Sequence, residues 1–297
     1  MKASKSRSLF LLTIASLLVL AALIWGSFNL LISTEGPIGK STAAQEKSPE
    51  FKQMLVPIAD VSSSDLLLDI SANSTRHIQG STVIPYDNFM RDGKFISVPE
   101  ITQILGDAGI SRNDSIVIYG QCMPCGGGPA PATFVYFMMK VLGHENVRVL
   151  DGTIEDWAAA GRPIASQSMI RPSVNYTPIF TADPMASYDY MKSGKARIVD
   201  ARSSHEFNLS TIPGAINIPS DNVVFNGTIK KETALKEVFA NLSKDEPVVV
   251  FTSTGIKASV VWFSLKMLGY DAKLYSWQDW LANQVDKGVS LQGTEEL

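Results

Sequence analysis

Short apolar runs and longer apolar helical stretches recur in the same order twice along the chain. Residues 115–119 (Ser-Ile-Val-Ile-Tyr) and 247–251 (Pro-Val-Val-Val-Phe) are β-branched runs of the kind that form buried parallel strands. Each precedes a loop and then an apolar stretch with helical length, residues 133–142 and 258–268. Both stretches stop at Leu-Gly, at Gly143 and Gly269, where glycine suits a left-handed helix C-terminus. A further strand follows each, at residues 147–150 and 272–275, and then an acidic-Trp turn, Glu155-Asp-Trp157 and Gln278-Asp-Trp280. Upstream, residues 66–69 (Leu-Leu-Leu-Asp) match 197–200 (Arg-Ile-Val-Asp), and His77-Ile-Gln-Gly80 matches Thr211-Ile-Pro-Gly214. Alternating strands and crossover helices predict a parallel sheet with helices on both faces, present in two copies.

The offset between the copies is informative. It is 132 positions from Tyr119 to Phe251, but 126 from Gly143 to Gly269. The first copy's strand-to-helix loop is therefore six residues longer. Residues 163–184, rich in Ser, Pro and Thr, read as an inter-domain connection.

A different pattern occupies the N-terminus. Lys2, Lys5 and Arg7 precede an uncharged run from Leu9 to Ile32, long enough to span a bilayer. A cleavable signal peptide is the alternative, but its apolar region is usually shorter, roughly 7–15 residues. The basic flank predicts that everything after the run lies outside the cytoplasm. The organisation expected is an anchor or signal segment over 1–33, a flexible tether over 34–50, domains over 51–165 and 186–297, and a linker over 166–185.

Composition narrows the chemistry. With 45% hydrophobic and 19% charged residues the 297-residue chain is globular, and a net charge of -3 gives no reason to expect nucleic acid. The three histidines are scattered and suggest no zinc site, and no cofactor is expected. Six N-x-S/T triplets, at Asn73, Asn113, Asn175, Asn208, Asn226 and Asn241, fit surface positions of an exported protein. The two cysteines form one C-x-x-C, Cys122 to Cys125, which is too few for a disulfide scaffold.

That pair sits in the long loop of the first copy, Gly120-Gln-Cys-Met-Pro-Cys-Gly-Gly-Gly-Pro-Ala130. In parallel α/β sheets, ligands bind where strands end and helices begin. Consecutive glycines, Gly126, Gly127 and Gly128, let backbone N–H groups converge on an anion, and the helix start adds positive potential. Both lower a thiol's pKa and favour a thiolate or persulfide.

Several motifs together resemble the rhodanese (sulfurtransferase) family in its tandem form. They are the strand-end aspartates Asp69 and Asp200, the Asp200-Ala-Arg202-x-x-x-Glu206-Phe207 run, and Ile-Pro-Gly-Ala-Ile-Asn-Ile-Pro from Ile212 to Pro219. The strand-loop-helix units and the Ser276-Trp-Gln-Asp-Trp280 turn complete the set. The resemblance implies a cysteine that takes sulfane sulfur from a donor such as thiosulfate and passes it to a thiol or cyanide acceptor. In the family a C-x-x-G-x-x-[A/S] loop follows the strand. The second copy keeps this frame as Thr252-Ser-Thr-Gly255-Ile-Lys-Ala258, with threonine in the cysteine slot, so transfer is not expected there. In the first copy, alignment from the strand puts Gly120 in the slot, whereas counting back from the helix gives Cys125, whose Cys125-Gly-Gly-Gly128 preserves C-x-x-G. Counting therefore favours Cys125 as sulfur carrier over Cys122.

Three readings stay open at this level: a sulfurtransferase, a thiol–disulfide oxidoreductase using the C-x-x-C, and a non-catalytic binding module. The pair can also be a simple loop staple. Candidate substrate-binding residues are Gly126, Gly127, Gly128 and Lys257. Expected partners are a small sulfur-containing anion, a thiol acceptor and the membrane. Arg202 and Glu206 are expected to pair structurally, His77 to be hydrogen-bonded, and Trp157, Trp277, Trp280 and the Phe134–Met139 stripe to pack.

Overall fold

The computed structural model describes residues 48–122 and 127–285. In the first half the elements are α1 (Pro49–Met54), β1 (Leu55–Pro57), β2 (Leu66–Asp69), β3 (Thr82–Val83), α2 (Val98–Asp107), β4 (Ile116–Tyr119), α3 (Ala130–Val141), β5 (Val147–Asp151) and α4 (Ile154–Ala159). The strands lie in the order β1-β5-β4-β2-β3, and every pairing is parallel. The second half repeats this with α5 (Tyr188–Lys192), β6 (Arg197–Asp200), α6 (Ser204–Leu209), β7 (Ile216–Asn217), α7 (Glu232–Val238), β8 (Val248–Thr252), α8 (Ile256–Met267), β9 (Ala272–Ser276) and α9 (Trp277–Val285). Its parallel order is β7-β6-β8-β9. Met185 bridges Leu274 where β1 would stand.

The central strands are buried on both faces, which explains their unbroken apolar sequence. In β4, Ile116 and Ile118 face the main core while Val117 and Tyr119 pack with Trp157. In β8, Val248 and Val250 share that same core, and Val249 and Phe251 pack with Trp277 and Trp280. One apolar core therefore runs through both halves. Across it α3 meets α8: Tyr136 packs edge-on against Phe263 at 4.9 Å and Phe137 against Trp262 at 5.1 Å. The Phe134–Met139 stripe is buried in this contact, as expected for helix core. Thr133 Oγ1 and Ser259 Oγ, equivalent positions of the two helices, lie 2.8 Å apart.

Several details differ from the sequence expectation. The acidic-Trp segments are not turns, because Trp157 lies in α4 and Trp280 in α9. Thr153 and Asp156 form a reciprocal capping box that starts α4, a Thr-x-x-Asp signal carried by the local sequence. α1 begins at Pro49, inside the stretch expected as tether, because Phe51 is fully buried in the core. The connection between the halves is a strap bound to the first half. Ile164–Ala165 pairs antiparallel with His77–Ile78. Met169 N donates to Ser81 O (2.7 Å), Val174 N to Gly106 O (2.9 Å) and Ile179 N to Leu142 O (3.0 Å).

Among the described residues no helix is long and apolar enough to cross a membrane. The anchor expected over 1–33 lies outside them, as do Cys125 and Gly126.

Candidate functional site

The two strand-end loops share a frame and differ in what fills it. The sheet register pairs Asp69 with Tyr119 and Asp200 with Phe251, so Gly120, just past β4, and Thr252, the last residue of β8, occupy the same place. Ten positions separate Gly120 from the start of α3, and four separate Thr252 from the start of α8. The first loop is six residues longer, as the offsets indicated.

In the second half the slot is a cradle. Gly255 N donates to Thr252 Oγ1 at 3.1 Å and Ala258 N donates to it at 3.3 Å. Thr252 is buried, and its γ-oxygen satisfies two amides at the start of a 12-residue helix. Beneath it Asp200 is fully buried and accepts from Arg202 Nη2 (2.6 Å), Arg202 Nε (3.0 Å) and Thr211 Oγ1 (2.9 Å). Arg202 also stacks over Trp277 at 4.3 Å. The expected Arg202–Glu206 pair is not formed. Glu206 instead closes the N-terminal capping box of α6 with Ser203, because its place at N3 puts its carboxylate over the Ser203 amide and hydroxyl. Lys257 is exposed, beside a cavity of about 220 Å³ that Thr252, Arg202 and Ser220 also line.

In the first half the slot is closed. Gly120 has φ +129°, and a Cβ built on it would lie 2.6 Å from Ser71 Oγ, 2.8 Å from Ser71 N and 3.1 Å from Asp69 Oδ1. No side chain fits there, cysteine included. Asp69 is fully buried; Ser71 N donates to its Oδ1 (2.9 Å). His77 Nδ1 lies 2.8 Å from its Oδ2; a carboxylate only accepts, so the ring N–H donates, and His77 holds Asp69 as Thr211 holds Asp200. Tyr119 accepts at its hydroxyl from Ile78 N (2.8 Å) and contacts Ser81 Oγ (2.9 Å). Burial and then Asp69 raise its pKa, so it stays a neutral phenol.

Beyond Gly120 the chain turns so that Gln121 N donates to Ser71 Oγ (3.3 Å). Cys122 is 2% exposed and disulfide-bonded. The sequence holds one other cysteine, Cys125. Tyr86 donates its hydroxyl to Cys122 Sγ at 3.3 Å. Gly127 N donates to Cys122 O (2.8 Å) and Gly128 N to Gln121 Oε1 (3.4 Å). In this disulfide-bonded form both glycine amides close the loop on itself. They become available to an anion only if the loop rearranges.

A cavity of about 360 Å³ opens beside the loop at the carboxyl ends of β4 and β5, lined by Asp69, Arg76, Tyr119, Gln121, Thr153 and Gly227. Arg76 lies 3.7 Å from Glu155, an exposed pair worth little. Gly227 belongs to the second half, at the tip of the hairpin joining Val224–Phe225 to Thr228–Ile229. A Cβ on it would lie 3.7 Å from Gln121 Nε2. The matching hairpin of the first half, Met90–Arg91 with Lys94–Phe95, carries Gly93 to the corresponding place over Gln278 and Thr254. Each half thus closes over the other's loop. Nothing in the local sequence signals this reciprocity, which depends on packing between residues more than 100 apart.

Among the described residues no group of His, Cys, Asp and Glu side chains could hold a metal ion. The asparagines of all six N-x-S/T triplets are exposed.

The family model of the rhodanese-like domain matches residues 45–160 and again 184–283. A putative thiosulfate sulfurtransferase of Mycolicibacterium smegmatis is 27% identical over 244 residues, covering 71% of this chain and 85% of that protein. A sulfur carrier protein, TtuD, of Thermus thermophilus is 29% identical over 248 residues with the same coverages. Among solved structures, the 3-mercaptopyruvate sulfotransferase SseA of Escherichia coli superposes with a TM-score of 0.67 at 19% identity, over 76% of this chain and 99% of that one. At that identity the likeness speaks for the fold.

Proposed function

The chain belongs to the rhodanese-like domain family, with two copies of the domain, and on that premise we propose that it is a sulfurtransferase whose chemistry is confined to the first half. One observation carries the reading. The long loop of that half carries the disulfide-bonded Cys122, and its first residues, Gly120 and Gln121, line a cavity at the carboxyl end of the sheet, while the equivalent loop of the second half presents a threonine hydroxyl already held by two amides. The relatives' names, thiosulfate sulfurtransferase and sulfur carrier protein, support it.

Cys125 is the sulfur carrier in this reading. Its thiolate attacks the outer sulfur of thiosulfate, the S–S bond of the donor breaks, and sulfite departs with the electron pair, leaving a persulfide. A thiol or cyanide acceptor then attacks the terminal sulfur and restores the thiolate. Cys122, with 2% exposure, is poorly placed to meet an external donor and suits a resolving role. Its thiolate attacks the inner sulfur of the persulfide, hydrosulfide leaves, and a Cys122–Cys125 disulfide remains for an external thiol to reduce. Gly126, Gly127, Gly128 and Lys257 are the candidates for holding the anionic donor.

With full-length protein in detergent, reduced beforehand, thiosulfate and cyanide should yield thiocyanate. Cys125→Ser should lower the rate at least 100-fold. Parental rates in both single cysteine variants would end the sulfurtransferase reading. The disulfide-bonded state of Cys122 favours one rival, a thiol–disulfide oxidoreductase. That rival predicts reversible titration of the pair with no persulfide visible by mass spectrometry after exposure to thiosulfate.

For location, we propose an uncleaved N-terminal anchor with both domains outside the cytoplasm. The uncharged run from Leu9 to Ile32 behind Lys2, Lys5 and Arg7 and the six exposed N-x-S/T asparagines support it. Externally added protease should degrade the domains in intact cells; full protection until the membrane is broken would refute this topology.

A further inference from the structure

The hydroxyl of Tyr86 is aimed at the sulfur of Cys122, and the duplicated frame shows how it comes to be there. Pro85-Tyr86 and Pro219-Ser220 make the same bend. Tyr86 N donates to Ile70 O at 3.0 Å and Ser220 N donates to Ala201 O at 3.0 Å, each carbonyl belonging to the residue after the strand aspartate. Each bend continues into a single turn of 3₁₀ helix, Tyr86–Phe89 and Ser220–Val223. In the second half the short Ser220 side chain lines the cavity of Thr252. In the first half the same place carries a phenol, long enough to reach a loop enlarged by six residues. It ends 3.3 Å from Cys122 Sγ in a site where that sulfur is 2% exposed.

We infer that Tyr86 is the hydrogen-bond donor that makes Cys122 the leaving sulfur when its disulfide is opened. The inference rests on the reading that the first-half loop performs thiol chemistry. A thiolate reductant attacks the other sulfur of the disulfide, the S–S bond breaks, and the electron pair passes to Cys122 Sγ. That sulfur departs as a thiolate accepting the Tyr86 O–H, and a mixed disulfide forms between the reductant and the other cysteine. A second reductant thiol displaces that cysteine, so the pair ends reduced and two reductant thiols end as one disulfide. In sulfur transfer the same bond holds the Cys122 thiolate ready to attack a neighbouring persulfide.

The physical ground is that burial of Cys122, which is 2% exposed, penalises the thiolate, and an O–H donor in a buried site is worth far more than in water. A hydrogen bond to a charged group corresponds to roughly tenfold or more in an equilibrium constant. Tyr86 also keeps its proton at physiological pH, because burial and the adjacent Asp87 both raise its pKa from 10.0.

The test is Tyr86→Phe in the full chain, equilibrated with reduced and oxidised glutathione and read by mass spectrometry after trapping with an alkylating agent. The expected result is a shift of about tenfold toward the disulfide, with unchanged thermal melting of the oxidised form. An equilibrium within twofold of the parent overturns the inference. If the phenylalanine chain does not fold, the Cys125→Ser chain decides. With Tyr86 intact, its Cys122 thiol should titrate below the ordinary value of about 8.5 despite burial, and a value at or above that overturns it. Neither measurement needs sulfur donor. A tenfold shift without any persulfide would leave Tyr86 its role and remove the sulfurtransferase reading; persulfide formation with no shift would do the reverse.

Discussion

The loops after β4 and β8 share an equivalent buried aspartate on the neighbouring strand, Asp69 or Asp200, the same sheet register and the same crossing onto a helix, yet they solve different problems. The residue after Phe251, Thr252 at the end of β8, points its γ-atom at the helix start and two amides bind it. After β4 that residue has no side chain, because Ser71 and Asp69 occupy the space a Cβ would take. The second half has Arg202 at the position of Ser71, and its guanidinium turns back onto Asp200. The same frame therefore leaves room for a side chain in one copy and removes it in the other. The difference teaches that the slot is a volume with donors aimed into it. In the first half that volume is filled, and beyond it Tyr86 meets Cys122 while Gly227 of the second half's hairpin lies against Gln121.

The largest expected effect tests the closed slot. Gly120→Ala forces a Cβ into atoms at 2.6–3.1 Å from a backbone conformation that L residues rarely adopt. It should cost at least about 3 kcal/mol in denaturant unfolding. A loss under about 1 kcal/mol would mean that Ser71 yields easily and that the first slot, like the second, can hold a side chain.

Next in size is the open slot. Thr252→Val leaves the N–H groups of Gly255 and Ala258 without their acceptor and should cost about 1–3 kcal/mol. Thr252→Cys keeps a γ-atom that can accept and should cost less, with a thiol titrating below about 8.5. Equal losses for valine and cysteine would show that the amides do not depend on this side chain, and the cradle would lose its meaning.

The smallest effect separates the halves by pH. After the helix-ending glycines the first half has His144 and the second Tyr270. His144 is fully buried, with Nε2 2.8 Å from Asp114 O and Nδ1 3.3 Å from Tyr176 Oη in the strap. Burial lowers its pKa, so the folded chain favours the neutral ring. The sign follows: stability from this site is present above the unfolded value of about 6.5 and is lost as pH falls below it toward the lowered folded value. Hydrogen exchange between pH 7.5 and 5 should show the strap amides of Val174 and Ile179 opening, by roughly 1 kcal/mol, while amides around Tyr270 hold. His144→Gln should abolish the pH dependence. Equal loosening in both halves would refute the assignment to His144.

Much of the architecture was legible in the residues themselves. The β-branched runs, the Leu-Gly helix ends and the six-residue change in offset between Tyr119–Phe251 and Gly143–Gly269 already contain the duplicated parallel sheets, because these signals are local and periodic. The site was legible only in part. That Gly120 falls in the cysteine slot could be counted, but that it must be glycine required the positions of Ser71 and Asp69. The Arg202–Glu206 pair gives way because the four-residue capping box from Ser203 to Glu206 takes Glu206, and Asp200 lies two residues from Arg202. Nothing around Tyr86 in sequence predicts that it ends on a sulfur 36 positions later.

By itself the sequence determined that the chain folds as two related α/β units and that thiol chemistry has only one place to occur, since both cysteines lie in one loop and strand and helix signals act over a few residues. The tertiary structure alone decided which γ-atoms meet amides, which slot is sealed, and that each half's hairpin reaches the other's loop. Those outcomes depend on volumes and donors brought together from distant parts of the chain, and no local pattern encodes a distance of that kind.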